Sequence, residues 1–148
     1  AYKQNAISYA SSDSIWNHLA RWHGMVETTL GPASETELIQ NNNKIAETLE
    51  TYLFREGLTR EIIDSINTFE SWLREHLVLT KNLIPHNIVI KQDKGLMTLK
   101  IVDGLGSKSF IPLPKYSKFF AKIYVERRIK LFWSRIHWDL SGRHGTWK

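Results

Sequence analysis

The sequence contains no cysteine, which removes disulfides, thiolate metal sites and cysteine nucleophiles together. No apolar run approaches the roughly 20 residues needed to cross a bilayer. The opening Ala1-Tyr2-Lys3-Gln4-Asn5 lacks the apolar core of a signal peptide. These absences predict a cytoplasmic location. Several functional motifs are missing as well: there is no Walker loop, no dinucleotide fingerprint and no serine nucleophile elbow. Six histidines (His18, His23, His76, His86, His137 and His144) follow no His-x-x-x-His or Glu-flanked zinc spacing. Each is therefore expected at the surface or at a helix end. No repeat, low-complexity tract or linker divides the chain.

What is present fits one domain. A chain of 148 residues buries about 70% of the surface that its unfolded form exposes, so it needs no covalent staples. The net charge of +5 and the pI near 9.5 favour anionic partners, and most of the excess lies in the last third.

Ser11-Ser12-Asp13-Ser14 offers N-caps to a short helix carrying Ile15, Trp16, Leu19 and Ala20 on one side. Gly24 interrupts it, and Met25 to Thr29 reads as a strand before the Gly31-Pro32 turn. Asn41-Asn42-Asn43 opens a helix over 43–56 with Ile45, Ala46, Leu49, Tyr52 and Leu53 on one face, closed by Gly57. Thr59 caps the next, over 59–75, in which Ile62, Ile63, Ile66, Phe69, Trp72 and Leu73 recur at helical spacing. The period then changes. Residues 80–85 read as a loop, and 87–91 and 97–102 as two strands joined by Asp93-Lys94-Gly95. A last helix spans Lys115 to Trp138, with a polar tail from about 141 to 148. The order predicts an α+β fold, mostly helical, with a small β-hairpin resting on the helices at 43–56 and 59–75.

One constellation carries chemistry. A loop ending in Asn87 leads into the hairpin, and the hairpin runs out into Asp103-Gly104-Leu105-Gly106. This order places an amide oxygen and a carboxylate near each other. Such hard donors, few in number and completed by water, suit magnesium carried on nucleotide phosphates. Protein kinases use the same layout. Asn and Asp-Gly are equally the commonest turn residues, so the residues alone leave a plain turn as the alternative.

The segments Asn82-Leu83-Ile84-Pro85-His86-Asn87-Ile88-Val89 and Ile101-Val102-Asp103-Gly104-Leu105-Gly106 resemble a kinase catalytic loop and its metal-binding turn. The stretch from Ser107 to Lys118 and the run Arg127-Arg128-Ile129-Lys130-Leu131-Phe132-Trp133 are similar to the YrbL family of the PhoP regulatory network. Weaker similarity reaches back to His23-Gly24-Met25-Val26-Glu27-Thr28. The resemblance implies a protein-kinase-like C-lobe linked to low-magnesium regulation. It also implies weak or vestigial binding of Mg2+ and ATP, with Asn87 and Asp103 as the cofactor-binding and metal-binding residues.

The departures from an active kinase are specific. The catalytic Asp position falls at Asn82, whose amide cannot accept a proton as a carboxylate does. The loop lysine position falls at Ile84, and no Gly-rich loop or strand lysine precedes residue 22. The expected function is therefore a regulatory or binding protein, a pseudokinase acting on a protein partner. The alternatives are residual Mg-ATP phosphotransfer or a basic module for nucleic acid or anionic membrane. This last reading rests on the 115–135 helix, where Lys115, Lys118, Lys122, Arg127, Arg128, Lys130 and Arg135 alternate with Tyr116, Phe119, Phe120, Tyr124, Phe132 and Trp133. The competing expectation is that Phe119, Ile123, Ile129, Phe132, Trp133 and Ile136 are core and the cations solvated.

Overall fold

The computed structural model describes residues 13–105 and 116–147. Gly106 to Lys115, which include Pro112 and Pro114 of the YrbL-like stretch, lie outside the described residues. The architecture is α+β. A 3-10 turn, Asp13–His18, leads into the hairpin β1 (Trp22–Thr28) and β2 (Gly31–Thr36), then the two-residue pair β3 (Gln40–Asn41) and β4 (Lys44–Ile45). Helices α1 (Leu49–Glu56) and α2 (Arg60–His76) follow. A second 3-10 turn, Pro85–Asn87, opens the hairpin β5 (Ile88–Asp93) and β6 (Leu96–Ile101), and α3 (Lys118–Leu140) ends the fold. The three sheets among the described residues are two-stranded and antiparallel.

The helix expected at 43–56 begins later, at Leu49. Asn42 and Asn43 both take positive φ, 49° and 63°, and these left-handed residues make the tight turn between β3 and β4. Thr48 supplies the cap, its hydroxyl accepting from the Thr51 amide at 3.1 Å. Ile45, assigned to the buried helical face, is instead 72% exposed. Thr59 caps α2 as expected, accepting from the Ile62 amide at 3.3 Å. The β5–β6 turn uses Lys94 and Gly95, at φ 47° and 83°, which matches the Asp-Lys-Gly signal.

The hairpin is covered on both faces. Ile88, Ile90, Leu99 and Ile101 enter the main core with Ile62, Ile66, Phe69 and Leu73 of α2, and with Val125, Ile129, Phe132 and Ile136 of α3. Val89 faces the other way, into a smaller cluster with Ala20, Ile39 and Ala46. The edges of the hairpin are occupied too: the Ala20 amide donates to the Ile101 carbonyl, and the Ile90 amide to the Glu47 carbonyl, both at 3.0 Å. A hairpin alone is marginal in water, so these attachments fix it. The helices expected to pack against it do so, and the Ser65 hydroxyl of α2 donates to the Met97 carbonyl at 2.9 Å.

Trp72 is buried and stacks on Phe69 at 5.7 Å. Two histidines, His18 and His76, stand at helix ends, one of the two placements expected of them, but not at the surface. His18 and His76 are both buried, because their rings complete this aromatic cluster: His18 lies 5.2 Å and His76 5.9 Å from the Trp72 ring. Arg74 ties α2 to α3 through Glu126 at 2.7 Å, and this bond raises its pKa.

Phe119 and Ile123 are not core. They are 66% and 52% exposed, because they sit on the opposite side of α3 from Ala121, Val125 and Ile129. Ile129, Phe132 and Ile136 are buried as expected, and Trp133 is half-buried. The cations are not uniformly solvated either. Arg127 is exposed, but Arg128 and Arg135 are half-buried. Among the described residues no helix is long and apolar enough to cross a membrane.

Candidate functional site

The loop after α2 and the turn after β6 are stitched to each other. The Lys81 and Asn82 amides both donate to the Gly104 carbonyl, at 2.6 and 3.2 Å. Thr80 pairs with Leu105 in an antiparallel bridge, and the Val102 amide donates to the Asn87 carbonyl at 3.0 Å. Buried Leu83 and Leu105 anchor the two segments in the main core. From α3, the Tyr124 hydroxyl donates to the Thr80 carbonyl at 2.8 Å. The frame is thus held mainly by core side chains and backbone bonds.

Asn82 and Asn87 meet in this frame, and Asp103 immediately precedes the Gly104 that packs against both. The Asn87 side-chain amide donates to the Asn82 carbonyl at 3.1 Å, so its NH2 is engaged and its oxygen is the remaining donor atom for a cation. One carboxylate oxygen of Asp103 accepts from the Gly104 amide at 2.6 Å, which leaves the other oxygen for a ligand. Asn82 and Asp103 are exposed and Asn87 half-buried.

Gly104 makes the approach possible. Its φ is +85°, and a Cβ there would lie 2.6 Å from the Asn82 carbonyl oxygen and 3.0 Å from the Asn87 amide nitrogen. The first distance is sub-van-der-Waals against backbone, so only glycine fits.

One amide oxygen and one carboxylate suit a cation that arrives with phosphate oxygens and water already on it. They do not make a site for a metal alone, and no group of three or more His, Cys, Asp or Glu residues among the described residues forms one. Ile84, which the resemblance aligns with the loop lysine, is half-buried and uncharged.

A polar network behind the loop was not foreseen. His86, next to Asn87, lies 3.4 Å from Glu50 of α1. Glu50 in turn meets Arg143 of the tail at 2.9 Å and Arg135 of α3 at 3.7 Å. Both arginines bond Asp139, which is 2% exposed, at 3.1 and 2.9 Å. The spacing of Arg135, Asp139 and Arg143 at i, i+4 and i+8 was the available signal.

A wider cleft of about 790 Å³ lies away from this loop, beside the β5–β6 turn, with Trp16, His18, Asp64 and Lys100 on its walls. The His18 Nδ1 donates to the Leu99 carbonyl at 2.7 Å. Burial lowers its pKa, against the opposing effect of that hydrogen bond, and a carbonyl acceptor requires the proton on Nδ1.

Residues 2–137 match the family model described as PhoP regulatory network protein YrbL, which spans most of the chain. No curated protein matches the sequence.

Proposed function

The chain belongs to the PhoP regulatory network protein YrbL family, and on that premise we propose that it is a cytoplasmic kinase-fold regulatory protein that binds rather than transfers phosphate. The observation that carries this reading is the stitched loop and turn. Asn87 and Asp103 sit on a frame closed by backbone hydrogen bonds, around a glycine that nothing else can replace.

Asn87 and Asp103 would hold Mg2+ delivered on ATP. When bound, the ion neutralises phosphate charge and orients the chain of phosphates. Asn82 orients through its amide but takes no proton, because a neutral amide is not a base at any working pH. With Ile84 in place of a cation, the loop adds no charge stabilisation to a transferring phosphoryl group. The outcome is weak, magnesium-dependent nucleotide binding without turnover, read out by a protein partner.

The test is a thermal-shift titration with ATP and MgCl2 together and each alone, in the natural sequence and in Asp103→Ala. Binding raises stability by mass action, so a rise in Tm that needs both components and is lost in Asp103→Ala is expected. No shift at millimolar nucleotide would end the nucleotide-binding reading. ATP turnover abolished by Asp103→Ala would end the claim that Asn82 disables the site.

A further inference from the structure

We propose that the outward face of the first half of α3 is an anionic-membrane docking surface, independent of the loop–turn site. Phe119, Phe120 and Ile123 are 66%, 40% and 52% exposed. Residues 119, 120, 123, 127 and 130 follow helical spacing, so the apolar group continues along the same face into Arg127 and Lys130. Both of these cations are exposed.

Two observations select the partner. The first is charge. Glu126 is the sole acid between residues 116 and 138, and it is occupied by Arg74 at 2.7 Å. The cations of this face therefore meet no carboxylate of their own chain among the described residues. The second is the kind of apolar residue. Two phenylalanines and an isoleucine beside basic side chains are what an interfacial helix offers to the boundary between headgroups and acyl chains. Anionic headgroups answer the cations, and the acyl boundary takes the rings.

A second copy of the chain fits less well. An isologous contact brings the same patch to both sides, so Arg127 and Lys130 would gain no acidic partner. Duplex nucleic acid answers the cations but leaves the three apolar side chains without a role.

The full chain should be sedimented with vesicles of phosphatidylcholine alone and of phosphatidylcholine with phosphatidylserine at about two to one. Binding to the mixed vesicles only, falling as salt rises, is expected. Phe119→Ser with Ile123→Ser should weaken it at least about tenfold through lost apolar burial. Arg127→Ser with Lys130→Ser should weaken it roughly 25-fold, near fivefold for each cation. Both pairs are at exposed sites, so each variant should keep its Tm. The proposal fails if mixed vesicles are not bound, or if either double variant binds them as well as the natural sequence. It also fails if light scattering finds a dimer that the Phe119/Ile123 variant dissolves, or if duplex DNA binds more tightly than the vesicles.

Discussion

Within α3, residues 119–123 hold Phe119, Phe120 and Ile123 out in solvent, whereas residues 129–136 bury Ile129, Phe132 and Ile136 completely or nearly so. The two halves have the same vocabulary of aromatics, isoleucines and cations. They differ in what lies opposite. The second half meets the aromatic ridge of α2, with Phe132 in edge contact with Phe69 at 6.3 Å and the Trp133 indole donating to buried Glu70. The first half is buried only along its inner side, where Ala121 and Tyr124 pack with Leu77 and Leu79 of the segment after α2 and Val125 joins the main core. Composition along a helix thus says how much apolar surface exists, and packing partners decide which part of it is core.

The largest expected effect tests the buried half. Phe132 is fully buried, and Phe132→Ala should cost about 3–5 kcal/mol through lost burial and the cavity left behind. Trp72→Ala, in the facing ridge, should fall in the same range. Phe119→Ala should change stability by about 0.5 kcal/mol or less. Denaturant midpoints at constant m-value measure all three. Equal losses for Phe119 and Phe132 would erase the distinction between the halves.

A second, smaller effect is polar. Asp139 is buried and accepts from both Arg135 and Arg143. Asp139→Asn removes the charge from two charge-assisted bonds, which should cost about 1.5–3 kcal/mol. The arginines are partly exposed and turn to water, which keeps the loss below that of a stranded buried ion. A loss under about 0.5 kcal/mol would mean that the second half of α3 is held by its apolar contacts alone.

These elements differ in how far the sequence announces them. Helix α2 was legible because Ile62, Ile66, Phe69 and Leu73 repeat at one period and Thr59 caps them. The β5–β6 hairpin was legible from its turn residues. The start of α1 was not: an Asn run reads equally as a cap or as a left-handed turn, and the choice depended on β4 pairing with β3. The order of Asn82, Asn87 and Asp103 was visible as a motif. The fit of Gly104 against the Asn82 carbonyl was not, since no spacing encodes that distance. The Glu50–Arg143 bond joins residues 93 positions apart, and no local pattern points from one to the other. The helix-end positions of His18 and His76 were legible, but their burial was not, because it depends on both rings meeting Trp72.

The smallest expected effect separates two neighbours at the junction of the halves. Arg127 and Arg128 read alike in the sequence, as solvated cations. Arg127 is exposed, and Arg127→Ser should alter stability by about 0–1 kcal/mol, as for exposed charges generally. Arg128 lies with its guanidinium 4.9 Å from the centre of the Tyr124 ring, and its Nε is buried without a hydrogen-bond partner. A desolvated nitrogen with no acceptor opposes folding, while the cation–π contact and the packed stem favour it, by about 1–2 kcal/mol when the cation is shielded from water. The favourable side should win narrowly, because Tyr124 is held in place by its bond to Thr80 and the ring is preorganised for the cation. Arg128→Ser is therefore expected to cost about 1 kcal/mol, more than Arg127→Ser and far less than Phe132→Ala. A double-mutant cycle with Tyr124→Leu isolates the ring contact, and a coupling near zero would place Arg128 with Arg127 on the solvated side of the helix.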